Sequence, residues 1–600
     1  MKFPAYRFAC LCVCAVLGMA QGDSLAEAVV ALQAGNAARA ESILQEELRA
    51  HPANGEALAL LGVALDQQKK FAEADDVYCK AVAIDPKSPS LRNNYGNHLL
   101  LGGNFKQAEE QFRRVVALAP ANVNARMQLT RLVLREKSPA KALTYLDGLP
   151  ATAHDRPDAL LLRMQAEYQL GKKTEAEAIR KRLSAEAEHD AQATVALGSA
   201  LFAAQQYDQA EQVFARAMTL APSSFDAVYY RGLAAARAGR HTEAREFLEQ
   251  ALRQQPANID AMYDLAVVNA KLGNRETAIQ LLGQASRAAP NRADLLQLMA
   301  RLTAQLGYFA DSVAAWDKYL KVTPGDASAR RERAFVQTAI AEQSAAGIAA
   351  LTAYVREHPA DPIGHYELGT AECATDTELA LREFDRAIAL NPELTPARFA
   401  RGLLYQRQGK TDQALADFAW AAKRLPGDAI VLDRLGDAQL ELNQVAAAVA
   451  TLRSAAQLAP GNVTVLNHLG RALQKDGKSG EARVVFARLR ELGPTKPEPP
   501  HPAGLLDFLS LSPEEQLLRY RTGVERTVQK NPDNLQAELQ YMRLLLDDGK
   551  TATALSVARK IASLKPAPAL AREAEQALVA AEQYDAAKQF RADVAESRIQ

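Results

Sequence analysis

Catalysis requires a nucleophile or base, a partner that orients it and a pocket, and few groups in this sequence are spaced for that work. The closest pair among its nine histidines, His358 and His365, has no cysteine or carboxylate at metal-ligand spacing, and no HExxH occurs. The glycines of "GGNFKQ" and "LGSALFAAQ" are not followed by the GK[ST] that opens a phosphate-binding helix. Of five cysteines, Cys10, Cys12 and Cys14 lie in the first twenty residues; Cys79 and Cys373 are nearly 300 residues apart. A disulfide needs Cα atoms within about 7 Å, so both are expected to be buried small hydrophobes. No catalytic residue, metal ligand or cofactor is therefore expected. The 71 basic and 71 acidic side chains balance and form no tail or patch, which argues against a nucleic-acid partner.

The elements that would position any binding groups are plainer. Alanine makes up about a fifth of the chain and aromatics 6%, a composition suited to close-packed helices more than to sheets. Steps of 34 from Ala74 reach Ala108, Ala142, Ala176, Ala210, Ala244, Ala278, Ser312, Ala346, Ala380, Ala414, Ala448 and Ala482. Twelve residues earlier, seven steps carry glycine: Gly62, Gly96, Gly198, Gly232, Gly402, Gly436 and Gly470. Small residues recur where two helices nearly touch. Four residues after the alanine stands a large apolar side chain, among them Tyr78, Phe112, Phe214, Leu248, Trp316 and Phe418, on the same helical face. A second glycine series (Gly35, Gly103, Gly171, Gly239, Gly273, Gly307, Gly409, Gly477), with Asn443 once in its place, marks left-handed turns between helices. A proline series from Pro52 to Pro494, one place late at Pro359 and absent near 154 and 188, closes each unit. Each unit thus reads helix, tight turn, helix, proline.

A 34-residue helix-turn-helix with glycine, alanine, a large residue four later and proline at these offsets resembles the tetratricopeptide repeat, of an exported bacterial type. The expected fold is all-α, an α-α superhelix of about sixteen helix pairs. Residues 21–496 form about fourteen repeats, degenerate at 123–190, where Thr130 and Met164 replace the first-helix glycine. A Pro-rich linker at 497–512 precedes a C-terminal helical region at 513–600 with two divergent repeats, and "SPEE" at 512–515 predicts a helix starting near Pro513. At the N-terminus, Lys2 and Arg7 precede a 13-residue apolar stretch, Phe8 to Ala20. This reads as an export signal cut after Ala20, since a spanning helix needs about 20 apolar residues; a retained anchor is the other reading.

The resemblance implies that first helices line a concave face that holds extended peptides or partner helices. The positions it places there are Asn93, Asn97, Arg131, Arg135, Tyr229, Arg237, Tyr263, Lys271, Arg301 and Arg331, where aromatic and basic groups can stack on apolar side chains and read carboxylates or sugar hydroxyls; each is otherwise a solvated surface residue. The chaperone-tail carboxylate clamp and the asparagine ladder known in the family are both disfavoured by the residues present. The expectation is a non-enzymatic scaffold, periplasmic or associated with the bacterial envelope, that binds proteins or peptides in envelope assembly or export, with no transmembrane span in the mature chain. The alternative is a soluble exported binder of a glycan or peptide ligand.

Overall fold

In the computed structural model, residues 23–492 and 513–599, with Leu505 and Leu511, are described. The expected export signal lies outside them, as does nearly all of the 497–512 linker. The chain divides into two compact units between Asn274 and Arg275. Among the described residues there are helices and no strands, and none is long and apolar enough to cross a membrane.

The recurring unit is built as its residue types dictate. Residues 225–254 supply a typical case: a first helix, Phe225–Arg237, a turn at Gly239 with φ +84°, and a second helix, His241–Gln254. All eight glycines of the turn series have positive φ, and Asn443 adopts φ 60° in their place. Most of the prolines are followed two places later by a residue whose side chain caps the next helix; Arg292 and Leu394, at the same place, make no such bond. The Asn54, Asn122 and Asn258 side chains accept the backbone N–H of the residue three further on, at 2.9–3.1 Å. Such a cap contributes about 1 kcal/mol.

Between the paired helices, the first-helix glycine faces the large residue of the second. A Cβ placed on Gly62 would lie 2.5 Å from the Tyr78 ring, on Gly198 2.6 Å from Phe214 and on Gly470 2.6 Å from Phe486. The ladder alanines from Ala74 to Ala278 are fully buried. Ser312 joins them because its hydroxyl donates to the Ala300 carbonyl at 2.6 Å, which removes the cost of burying it.

The ladder reading fails at one step. Ala346 is exposed, and Gly347 takes the close-packed place, its missing Cβ only 2.8 Å from the Ala334 carbonyl. A short 3-10 turn, Ala341–Gln343, ahead of helix Ser344–Glu357 adds one residue. The next first helix, Pro362–Glu372, is still one place late, with its close-packed glycine at Gly369 against Phe384, and the count is restored at Ala380, 11 residues after that glycine where the other pairs have 12. In the thin stretch at 123–190, the second helix Pro139–Asp147 is cut to nine residues, with a four-residue helix Ala151–His154 after Pro150.

A helix does begin at Pro513 and runs to Lys530. The four helices after it, between Leu535 and Ile599, share a core of Leu539, Met542, Ile561, Leu578 and Phe590. The cysteines depart from expectation. Cys373 is half-buried and Cys79 is exposed on helix Phe71–Ile84, where its thiol lies 3.2 Å from the Tyr95 hydroxyl. The ladder places Cys79 one position past the buried Tyr78, which turns it off the core face.

Candidate functional site

The expected binding residues all lie on first helices, but the structure treats them differently. In the first unit, Asn93 is buried and accepts from the Asn124 amide at 2.7 Å, while Asn97 is half-buried. Arg131 is half-buried beside Gln128, and Arg135 is exposed with its guanidinium 3.4 Å from the Phe105 ring centroid. Arg237, also exposed, lies 5.7 Å from the Phe202 centroid. Lys271 is exposed and Tyr263 half-buried. Tyr229 is buried, stacks on Phe225 and donates its hydroxyl to Asp264 Oδ2 at 2.5 Å. Burial pushes the Asp264 carboxyl up to about 6, although the Tyr229 hydrogen bond opposes the shift. Asp264 Oδ1 has no hydrogen-bond partner among the described residues.

In the second unit, Arg301 and Arg331 reach one cavity of about 280 Å³. Helix Ala293–Gln305 contributes Arg301, Ala304 and Gln305; helix Phe309–Val322 contributes Trp316; helix Ala327–Thr338 contributes Arg331, Glu332, Phe335 and Val336; helix Pro362–Glu372 contributes Glu367. Three successive first helices thus converge, with the large residue of one second helix beneath them. Trp316 stands at the large-residue place of the ladder, four after Ser312, and is buried.

The charges in this cavity are unequally satisfied. Arg301 makes a two-pronged contact with Glu332, at 2.8 and 2.6 Å, which raises the guanidinium pKa further. Such bidentate pairs are the stronger ion pairs. Arg331 is buried and less well paired. Its Nη1 lies 3.0 Å from Glu367 Oε1 and its Nε 3.6 Å from Asp361 Oδ2, yet neither nitrogen has an aligned hydrogen-bond acceptor among the described residues. Glu367 is equally buried, and its Oε2 has no donor.

Burial pushes the Glu367 carboxyl up to about 7, with Arg331 pulling it down and Glu332 and Asp361 pushing it up. Asp361 goes the other way. Burial raises it, but the Tyr354 hydroxyl at 2.7 Å, the Ile363 backbone N–H and Arg331 together hold it below the ordinary range. A buried, unpaired donor or acceptor costs about 1–3 kcal/mol, more when charged. The cavity therefore presents one cationic donor and one titrating acceptor side by side, and Trp316 and Phe335 also line it.

The sequence pointed to Arg301 and Arg331 but not to Glu332, Glu367 or Trp316 as their companions. Glu332 and Glu367 hold equivalent places in successive first helices, but a step of 34 from Glu332 lands on Tyr366, because of the residue added at the 3-10 turn. A second depression of about 470 Å³, lined by Leu415, Ala419, Leu435, Gln439 and neighbours, is mostly apolar and has no charged pair. His365 is engaged by Glu383 at 2.5 Å and by the Pro359 carbonyl at 3.2 Å, and His358 packs against Tyr354.

Comparison with known proteins agrees with this architecture. Two tetratricopeptide repeat family models match, one over residues 99–168 and 235–302, the other over 25–89, 195–259 and 399–463. The type IV pilus assembly protein PilF of Pseudomonas aeruginosa is 29% identical over 135 residues, covering 22% of this chain and 52% of that protein. The DnaJ homolog subfamily C member 7 homolog of Schizosaccharomyces pombe is 29% identical over 154 residues, covering 23% of this chain and 32% of that protein. The chain thus spans about half and about a third of the length of these relatives. Among solved structures, the APC/C hetero-tetramer Cut9-Hcn1 aligns at 15% identity and TM-score 0.39, over 75% of this chain and 90% of that one. Yeast Tom70 aligns at 14% and 0.36, over 72% and 96%. The two family models together match a little over half of the chain, on the helix pairs whose close-packed glycines and left-handed turns are described above; it belongs to the tetratricopeptide repeat family.

Proposed function

We propose that this protein is a non-enzymatic scaffold that holds partner proteins or peptides against its first helices, in bacterial cell-envelope assembly or export. The observation that carries the reading is the cavity at Arg301, Arg331 and Glu367, where first helices from successive repeats bring buried polar groups that lack hydrogen-bond partners together with aromatic side chains. Binding surfaces concentrate their energy in such spots, with arginine and tryptophan prominent. The envelope setting draws support from the export-type N-terminus of the sequence and from the partial likeness to a pilus assembly protein.

The test is affinity capture from intact cells with the full chain and with Arg301→Ala, an exposed position whose loss leaves the core intact. Recovery of envelope proteins by the parent, reduced several-fold by the variant, is expected; identical recovery from both rejects this surface. Fusing the first 30 residues to a reporter decides export, and a cytoplasmic reporter would overturn the setting. The modest size of the cavity also suits the second reading, a soluble exported binder of a glycan or peptide ligand. That reading expects a thermal shift with purified envelope glycans or peptides in the absence of any larger assembly.

A further inference from the structure

We propose that the cavity lined by Arg331 and Glu367 is a receptor for a side-chain carboxamide, so that a partner peptide is read by an asparagine or glutamine. The proposal rests on the reading that the chain binds peptides, and it adds which side chain is selected. Three observations carry it. First, Arg331 and Glu367 form an ion pair whose hydrogen-bonding capacity is not filled. Arg331 Nη1, a donor, lies 3.0 Å from Glu367 Oε1, and the partnerless Oε2 belongs to the same carboxylate. Both residues are over nine-tenths buried and both line the cavity. A ligand that satisfies them must accept from one and donate to the other within a few ångströms.

Second, the charge balance selects a neutral group. Arg301 and Arg331 face Glu332, Glu367 and Asp361, with the Tyr354 and Tyr366 hydroxyls nearby. A carboxylate entering would satisfy Arg331 but join three acids. An ammonium would satisfy Glu367 but meet two guanidinium groups and offer no acceptor. A primary carboxamide carries a carbonyl and an N–H on one edge and matches both. The backbone amide carries the same groups pointing in opposite directions, because the peptide bond is trans, so it cannot present them to one wall.

Third, the cavity is lined by Trp316 and Phe335 and holds about 280 Å³, which suits a flat group better than a hydroxyl or a single water.

Glu367 supplies a pH signature. Burial holds its carboxyl near 7, and a ligand N–H is accepted by the ionised form. Binding therefore lowers the Glu367 pKa, and by linkage carboxamide affinity rises as pH increases through about 7. A carboxylate ligand would show the opposite slope.

The experiment uses the full chain and four probes that share one ring: benzamide, benzoate, benzamidine and benzyl alcohol. Binding is followed from pH 6 to 8 by ligand-observed saturation-transfer NMR. Benzamide is expected to bind in preference to the other three, more tightly at pH 8 than at pH 6. Arg331→Met is expected to weaken it about tenfold, the usual worth of a hydrogen bond to a charged group. Glu367→Gln, which keeps an acceptor and the shape, should retain binding and lose the pH slope, with thermal melts confirming that each variant folds. If Arg331→Met does not fold, the Glu367→Gln slope decides alone. Equal or tighter binding of benzoate, benzamidine or benzyl alcohol, a benzamide slope of the opposite sign or unchanged in Glu367→Gln, or no benzamide binding overturns the proposal. Capture of envelope proteins that survives such a result would leave the scaffold reading standing and remove only the carboxamide selection.

Discussion

Adding one methyl group at Gly198 tests the packing principle on which the whole array depends. The new Cβ would sit 2.6 Å from Cε1 of Phe214 and under 3 Å from two more atoms of that ring. Ordinary carbon contact is about 3.5–4.0 Å, so the ring or the helix must move by about 1 Å. Phe214 is fully buried, as are Ala210 and Ala217 on its own helix. Overpacking of this kind costs about 1–3 kcal/mol. Replacing glycine by alanine within a helix returns about 1 kcal/mol through backbone propensity, leaving a net loss of up to about 2 kcal/mol.

Gly523, inside the exposed helix Pro513–Lys530, is the matched control, because nothing lies within 4 Å of its Cβ position. There the same change should stabilise by up to about 1 kcal/mol. A repeat array does not unfold in one step, so the assay is native-state hydrogen exchange. Opening free energies are read on helices Ala191–Ala203 and Tyr207–Leu220 for Gly198→Ala, and on Pro513–Lys530 for Gly523→Ala. Phe214→Leu, which copies the Gly232–Leu248 pair, should recover part of the Gly198→Ala loss in a double-mutant cycle. Equal protection changes at the two glycines, or no coupling to position 214, would refute the claim that glycine is there to admit the ring.

Asn258→Ala removes the cap on the Ala261 N–H at 2.9 Å and should cost about 1 kcal/mol of local stability, read as faster exchange in helix Ile259–Lys271. Asp264 has a folded pKa of about 6 against an ordinary 3.8, so the folded state holds its proton longer and stability falls as pH rises across that window. Asp264→Asn should flatten this slope in unfolding measured from pH 4 to 6.5, and an unchanged slope would remove Asp264 as its source. Cys79, exposed, should react with a maleimide well before Cys373, whose thiol is raised by burial and donates to the Gly369 carbonyl at 3.2 Å. Peptide mass spectrometry that finds equal labelling of the two would contradict their placement.

How much was legible depends on how local the physical cause is. The turn glycines could be read because positive φ is a property of one residue, and all eight, with Asn443, adopt it. The helix pairs could be read because alanine, glycine and a large side chain at fixed offsets have one compact arrangement, seen at Gly62 with Tyr78 and Gly470 with Phe486. The start at Pro513 followed from capping chemistry within four residues. The site was half legible. Arg301 and Arg331 were found by their place in the repeat, but Tyr229 and Asn93, found the same way, are buried in local hydrogen bonds.

The sequence by itself determined the repeating unit, its turns and its small-to-large contacts, because those forces act within about 34 residues and recur often enough to be seen. Only the tertiary structure decided which charged groups share a cavity. The single residue inserted at Ala341–Gln343 shifts the register between Glu332 and Glu367, and whether a buried arginine is paired or left wanting depends on angles between side chains from different helices, which no spacing along the chain records.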